Sequence, residues 1–140
     1  MEGATGTYET NFAGKAAAAI DVLSRGVDYV YLHIEAADEC GHHGQVKEKI
    51  YSIEQIDAQV IKPVFAYLEN CGEDYAILVL PDHPTPIQIR THSAEPVPFA
   101  LYRKGDHAGR SMRYTESEAK TTGIYEDAGY RLIDRMKSGR

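Results

Sequence analysis

Two apolar runs limit what this chain can fold into. "VDYVYLHI" (residues 27–34) and "YAILVLP" (residues 75–81) are rich in β-branched and aromatic side chains and almost continuously apolar. A strand with one wet face alternates polar and apolar residues, so unbroken runs of this length read as strands buried on both faces, as in a parallel sheet. Between them Val46, Ile50, Ile53, Ile56, Val60, Ile61, Val64, Phe65 and Leu68 recur at steps of three and four. That spacing predicts one amphipathic helix from about Gln45 to Asn70, kinked at Pro63, whose ring removes a backbone donor.

The remaining segments fit around these. "GATGTYETNFAG" reads as a loop, and "KAAAAIDVLSRG" after it as a helix that Gly26 stops. "CGED" ends the long helix, and a Pro-rich loop leads from the second strand to a third, "VPFALYR" (residues 97–103). From about Thr115 the tail reads as short helices, "SEAK" and "YEDAGYRLIDRMK". Helix, strand, helix, strand, strand, helix predicts an α/β class: a layered fold with a largely parallel sheet flanked by helices.

A chain of 140 residues is about one domain and long enough to bury a core. With 43% hydrophobic and 26% charged residues, disorder is not expected. The net charge of -6 argues against nucleic acid as a partner, where a basic face is needed. No apolar run approaches the roughly 20 residues that cross a bilayer, and "MEGATGTYE" lacks a signal-peptide pattern, so no membrane partner and a cytoplasmic location are expected. Cys40 and Cys71 form no CxxC pair and read as reduced, partly buried thiols.

In open parallel sheets, ligands gather outside the carboxyl ends of the strands. Asp38 and His42 follow the first strand, Asp82 and His83 follow the second, and His92 lies in the loop before the third. Carboxylate and imidazole without thiolate suit Mn²⁺, Zn²⁺ or Mg²⁺. Asp38 and His42 are four apart and can meet one ion if their segment turns as a helix does. Neighbouring side chains such as Asp82 and His83 usually diverge, but Pro81 and Pro84 restrict the loop on both sides. Each piece also has a plain reading: a helix cap or solvated turn, an Asx-turn, a surface histidine. Composition and spacing leave both open. Cys40 lacks a clear activating neighbour for a nucleophile. "GATGTYETNFAGK" is not the GxxxxGK[ST] phosphate loop. His33 reads as a packed or rim histidine, and His43 and His107 as solvent-facing.

Taken together, "GATGTYETNFAGKA", "HIEAADECGHHGQVKEKIYSIEQID", "LPDHPTP" and "THSAEPVPFALY" resemble the cofactor-independent phosphoglycerate mutases in their archaeal-type branch, within the alkaline phosphatase superfamily. The resemblance runs from about Gly3 to the tail. It implies a metal-dependent isomerase of glycolysis and gluconeogenesis that interconverts 3-phosphoglycerate and 2-phosphoglycerate through a phosphoserine, with two divalent metal ions (Mn²⁺ first, Zn²⁺ or Mg²⁺ as alternatives) and no 2,3-bisphosphoglycerate. By the same resemblance Asp38, His42 and His92 would hold one ion. Asp82 and His83 would share the second with an N-terminal Asp and the serine nucleophile.

Departures from the family's pattern matter as much. Members of that family are much longer, with the nucleophile near the N-terminus and an inserted substrate domain ahead of this region. Ser24, Ser52, Ser93, Ser111 and Ser117 all lie outside a nucleophile-like context, so no catalytic residue is assigned, and Gln45 stands where an Asp is expected. Residues 1–140 therefore read as the C-terminal part of the metal-binding, phosphatase-like domain, expected to bind metal without turnover and to self-associate as a homodimer through an exposed sheet edge. Another phosphotransferase or phosphatase of that superfamily, or a non-catalytic metal-binding module, is the alternative reading.

Overall fold

Element order in the computed structural model, which describes residues 2–106 and 112–138, is α1 (Phe12–Ser24), α2 (Ala36–His43), α3 (Val46–Ile56), a π-helical turn (Asp57–Ile61), α4 (Lys62–Asn70), β1 (Ala76–Val79), β2 (Ala100–Arg103), α5 (Glu116–Thr121) and α6 (Arg131–Lys137). His107 and Ser111 lie outside the described residues. The chain divides into two compact units, Met1–Cys71 with Thr85–Ser93, and Gly72–Pro84 with Ala94–Arg140.

In the first unit, α1 begins three residues before the expected Lys15. Asn11 caps it: its side-chain oxygen accepts from the Gly14 N–H at 2.7 Å. A Cβ at Gly14 would lie 2.5 Å from that side chain, so glycine here serves the cap rather than a loop. The long apolar period does run as one helical path, but the irregularity comes before Pro63. Residues 57–61 widen into the π turn, and Pro63 then sits in the first turn of α4, where a missing donor costs little. Phe12, Ala16, Ala36 and Val60 form the core, with Ile34, Ile56 and Val64 packed against it. Burying one side chain of the size of Phe12 contributes about 1.5–3 kcal/mol.

Two sequence expectations change here. Residues 29–35 carry no regular secondary structure and join no ladder, and Val27, Tyr29, Tyr31 and Leu32 stand exposed. A strand pattern specifies burial on two faces, but a strand exists only where a neighbour pairs with it. Val46, Ile50 and Ile53 of α3 are likewise exposed, so only the later half of the apolar stripe meets the core.

The second unit holds the sheet. β1 and β2 pair antiparallel, with Ala76 opposite Arg103 and Val79 opposite Ala100. This two-stranded antiparallel pair, not a largely parallel sheet, is the sheet of the described residues. Helix α6 packs on β1 and buries Leu132. Tyr114 points its hydroxyl at the carbonyls of Val79 and Pro98, 3.2 and 3.0 Å away, tying the end of β1 to the loop before β2. Thr115 caps α5 by accepting from the Glu118 N–H, and Glu118 reaches back to the Arg113 N–H. The protein is thus mixed α and β, with helices in both units.

Candidate metal centre

The decapeptide "EAADECGHHG" is neither a turn nor a loop: Ala36–His43 form α2. The helix buries Ala36, Cys40 and Gly41 on one face and carries Asp38 and His42, one turn apart, on another. Gly44 ends it at φ 69°, with the Gly44 N–H on the Gly41 carbonyl and the Gln45 N–H on the Cys40 carbonyl at 2.9 Å. That left-handed ending, which glycine adopts freely, turns the chain directly into α3.

The third component arrives from fifty residues away. After the Pro86–Arg90 turn, in which the Arg90 N–H donates to the Pro86 carbonyl, Arg90 takes φ 53°. Its carbonyl lies 3.1 Å from His42 Nδ1. A carbonyl only accepts, so Nδ1 carries a proton, and in the neutral ring Nε2 of His42 presents a lone pair. His92 Nε2 lies 3.1 Å from His42 Nε2 and 3.5 Å from Asp38 Oδ1, and His42 Nε2 is 3.4 Å from Asp38 Oδ2. One ligand atom from each of Asp38, His42 and His92 falls within 4.8 Å of the other two. Asp38 and His42 are partly buried and His92 is exposed, which leaves an open side. Two imidazole nitrogens and a carboxylate converge with more lone pairs than protons, an arrangement that a divalent cation satisfies. One carboxylate and two imidazoles also form a set of three ligands with room for water or substrate in a fourth position. The residues fit a metal ion.

The chain as a whole resembles known proteins. Residues 1–130 match the profile of a family described as the metalloenzyme superfamily. The chain belongs to that superfamily. It is 56% identical over 139 residues to the 2,3-bisphosphoglycerate-independent phosphoglycerate mutase of Methanothrix thermoacetophila, covering 99% of this chain and 35% of the relative. It is 44% identical over 138 residues to the probable mutase of that name from Geobacter sulfurreducens, covering 97% and 34%. Among solved structures, the PH0037 protein from Pyrococcus horikoshii superposes with a TM-score of 0.84 at 33% identity, covering 96% of this chain and 40% of that one. The chain spans about a third of the length of the curated relatives it matches.

Asp82 and His83 lie in the other unit, on the loop that follows β1. The adjacent side chains do turn toward each other. His83 Nε2 is 3.5 Å from Asp82 Oδ2, and the His83 N–H donates to Asp82 Oδ1 at 3.1 Å. Among the described residues of their unit, no third His, Cys, Asp or Glu completes a ligand set with them.

The remaining candidates fall away on chemistry. Cys40 is 1% exposed, and burial pushes its thiol up, opposed in part by the contact with Ser52. A buried, protonated thiol is a poor nucleophile. His43 is exposed, its Nδ1 bonded to the Glu39 carbonyl, while exposed His33 faces Tyr31 and Glu35. Three residues around the centre escaped the sequence reading: Thr85, whose hydroxyl donates to Asp38 Oδ1; Lys49, whose Nζ donates to the Thr85 carbonyl at 2.8 Å; and Arg90. Burial pushes the Lys49 ammonium down, and the Asp38 charge works the other way. No local pattern announces these three, because each acts across a fold contact.

Proposed function

We propose that this chain is the metal-holding, C-terminal part of a 2,3-bisphosphoglycerate-independent phosphoglycerate mutase that interconverts 3-phosphoglycerate and 2-phosphoglycerate. The observation that carries the reading is the convergence of Asp38, His42 and His92 in a chain 56% identical to a protein of that name. Asp38, His42 and His92 would hold one divalent ion, and Asp82 with His83 would contribute to a second, Mn²⁺ being the first choice. Bound ions of this kind neutralise phosphate charge and lower the pKa of a coordinated hydroxyl.

The chain's own residues have narrower tasks. Asp38 supplies the negative charge. His42, held by the Arg90 carbonyl, keeps Nε2 free of a proton, and exposed His92 closes the set from the solvent side. The serine nucleophile and the substrate-clamping domain would come from residues outside this chain, so the chain alone binds metal without turnover. In the whole protein the segment 27–34 would enter a largely parallel sheet. In the isolated chain its unpaired edge favours self-association. Operation in the glycolytic direction fits a cytoplasmic location, and no helix among the described residues is long and apolar enough to cross a membrane.

The test is a mutase assay on the full-length parent, metal-stripped and then reconstituted with Mn²⁺. Conversion of 3-phosphoglycerate without added 2,3-bisphosphoglycerate supports the reading. Hydrolysis to glycerate and phosphate without isomerisation would replace it with a phosphatase of the same superfamily.

A further inference from the structure

We propose that Thr85 and Lys49 are positioning residues for Asp38, and that Gly41 is glycine so that they can reach it. Thr85 is 5% exposed, and its hydroxyl donates to Asp38 Oδ1. A carboxylate on a helix otherwise rotates about its side-chain bonds, and a buried donor that occupies one of its lone pairs selects a single orientation for the oxygens left to a ligand. Thr85 is itself pinned. Its carbonyl accepts from Lys49 Nζ at 2.8 Å, and Lys49 projects from α3, the helix that Gly44 folds back against α2. Three segments distant in sequence therefore meet behind one carboxylate.

Gly41 makes this approach possible. A Cβ there would lie 2.6 Å from the Thr85 carbonyl oxygen, 2.8 Å from Thr85 Cγ2 and 2.9 Å from Lys49 Nζ. Real Cβ atoms do not come so close to backbone, so any other residue would push the Thr85 segment away from Asp38. Glycine is a poor helix former, and its place within the eight-residue α2 is explained by this contact rather than by the helix. Lys49 makes its hydrogen bond to the Thr85 backbone, and its charge also acts on Asp38. The role follows from hydrogen bonding and close packing, with fixed geometry supplying affinity because less ordering is left to be done on binding.

This role rests on Asp38, His42 and His92 holding an ion, and calorimetric titration of Mn²⁺ into the purified chain tests the two separately. Thr85→Val should weaken Mn²⁺ binding by about tenfold or more, the usual range for an outer-shell partner. Thr85→Ser, which keeps the hydroxyl, should restore most of it. Denaturation midpoints of the same proteins separate an affinity loss from general destabilisation, which serine would not selectively rescue. Lys49→Met should weaken binding in the same direction. The double variant should be no weaker than Thr85→Val alone, since the Lys49 hydrogen bond serves the Thr85 hydroxyl and loss of its positive charge beside Asp38 does not weaken cation binding. Should Thr85→Val fail to fold, Lys49→Met carries the test, and unchanged affinity there overturns the role. Wild-type affinity in Thr85→Val, or serine no better than valine, overturns it while leaving the metal centre intact. A wild-type chain that takes up no Mn²⁺ overturns both.

Discussion

Asp38, His42 and His92 on one side and Asp82–His83 on the other use the same two residue types and are built in opposite ways. The first set spans more than fifty residues of chain and is backed by the Arg90 carbonyl, the buried Thr85 hydroxyl and the packed face of α2. The second is a pair of consecutive residues between two prolines, its side chains 3.5 Å apart on a loop. A ligand set whose orientation is determined by the fold needs little further ordering to bind an ion, whereas a local pair needs ligands from elsewhere to become a site. On the proposed reading, the difference is that between one self-contained cation site and one half-site.

The comparison can be broken at its strong end first. Asp38→Ala or His92→Ala should lower Mn²⁺ affinity by more than about a hundredfold, beyond the range of an outer-shell change. Near-unchanged binding by titration would mean that the three residues are not a ligand set. Gly41→Ala comes next. Overpacking against Thr85 costs about 1–3 kcal/mol, offset by about 1 kcal/mol from the better helix propensity of Ala, for a net loss of up to about 2 kcal/mol in urea unfolding together with weaker Mn²⁺ binding. A stabilised variant would show that Thr85 yields easily and that the α2 packing is loose.

Tyr114 probes the unit that carries the half-site. Tyr114→Phe removes the donor shared by Val79 and Pro98 and should cost about 0.5–1 kcal/mol. Burial pushes the Tyr114 hydroxyl up from 10.0 to about 12. Because the folded value is raised, its stabilising contribution is complete below 10.0 and is lost as pH climbs through about 12. The wild type should therefore lose thermal stability across that window more steeply than Tyr114→Phe, and equal slopes would dismiss the burial argument. The smallest effect is expected for Asp82→Asn with His83→Gln, which should leave the tight Mn²⁺ of the isolated chain in place. Loss of that ion would mean that the two ligand sets are not independent in this chain.

Much of the local structure was legible in the residue order. The Ala-rich helix, the three-and-four step from Val46 to Leu68, the β1 run and the tail helices all reflect side-chain periodicity, which is a property of neighbours in sequence. The errors are instructive on the same terms. "GATGTYETNFAG" was expected to be loop throughout, but an Asn with a Gly three residues on is a cap signal that starts α1 at Phe12. "VDYVYLHI" has the composition of a buried strand and joins no ladder, because composition carries no information about who the neighbour is. That helices and strands both occur was readable from the patterns, while the direction of pairing between β1 and β2 was not, since antiparallel and parallel ladders accept the same apolar residues.

By itself the sequence determined that Asp38 and His42, four apart, share one side of any helix they enter. It also placed His92, Asp82 and His83 in loops between regular elements. Only the tertiary structure decided that His92 closes on that pair, through an Arg90 backbone at positive φ, and that Thr85 and Lys49 stand behind the carboxylate. Those contacts join residues 36 to 54 positions apart, and their geometry depends on how helices and turns pack. A local pattern can nominate ligands, but their mutual distance is a property of the folded chain.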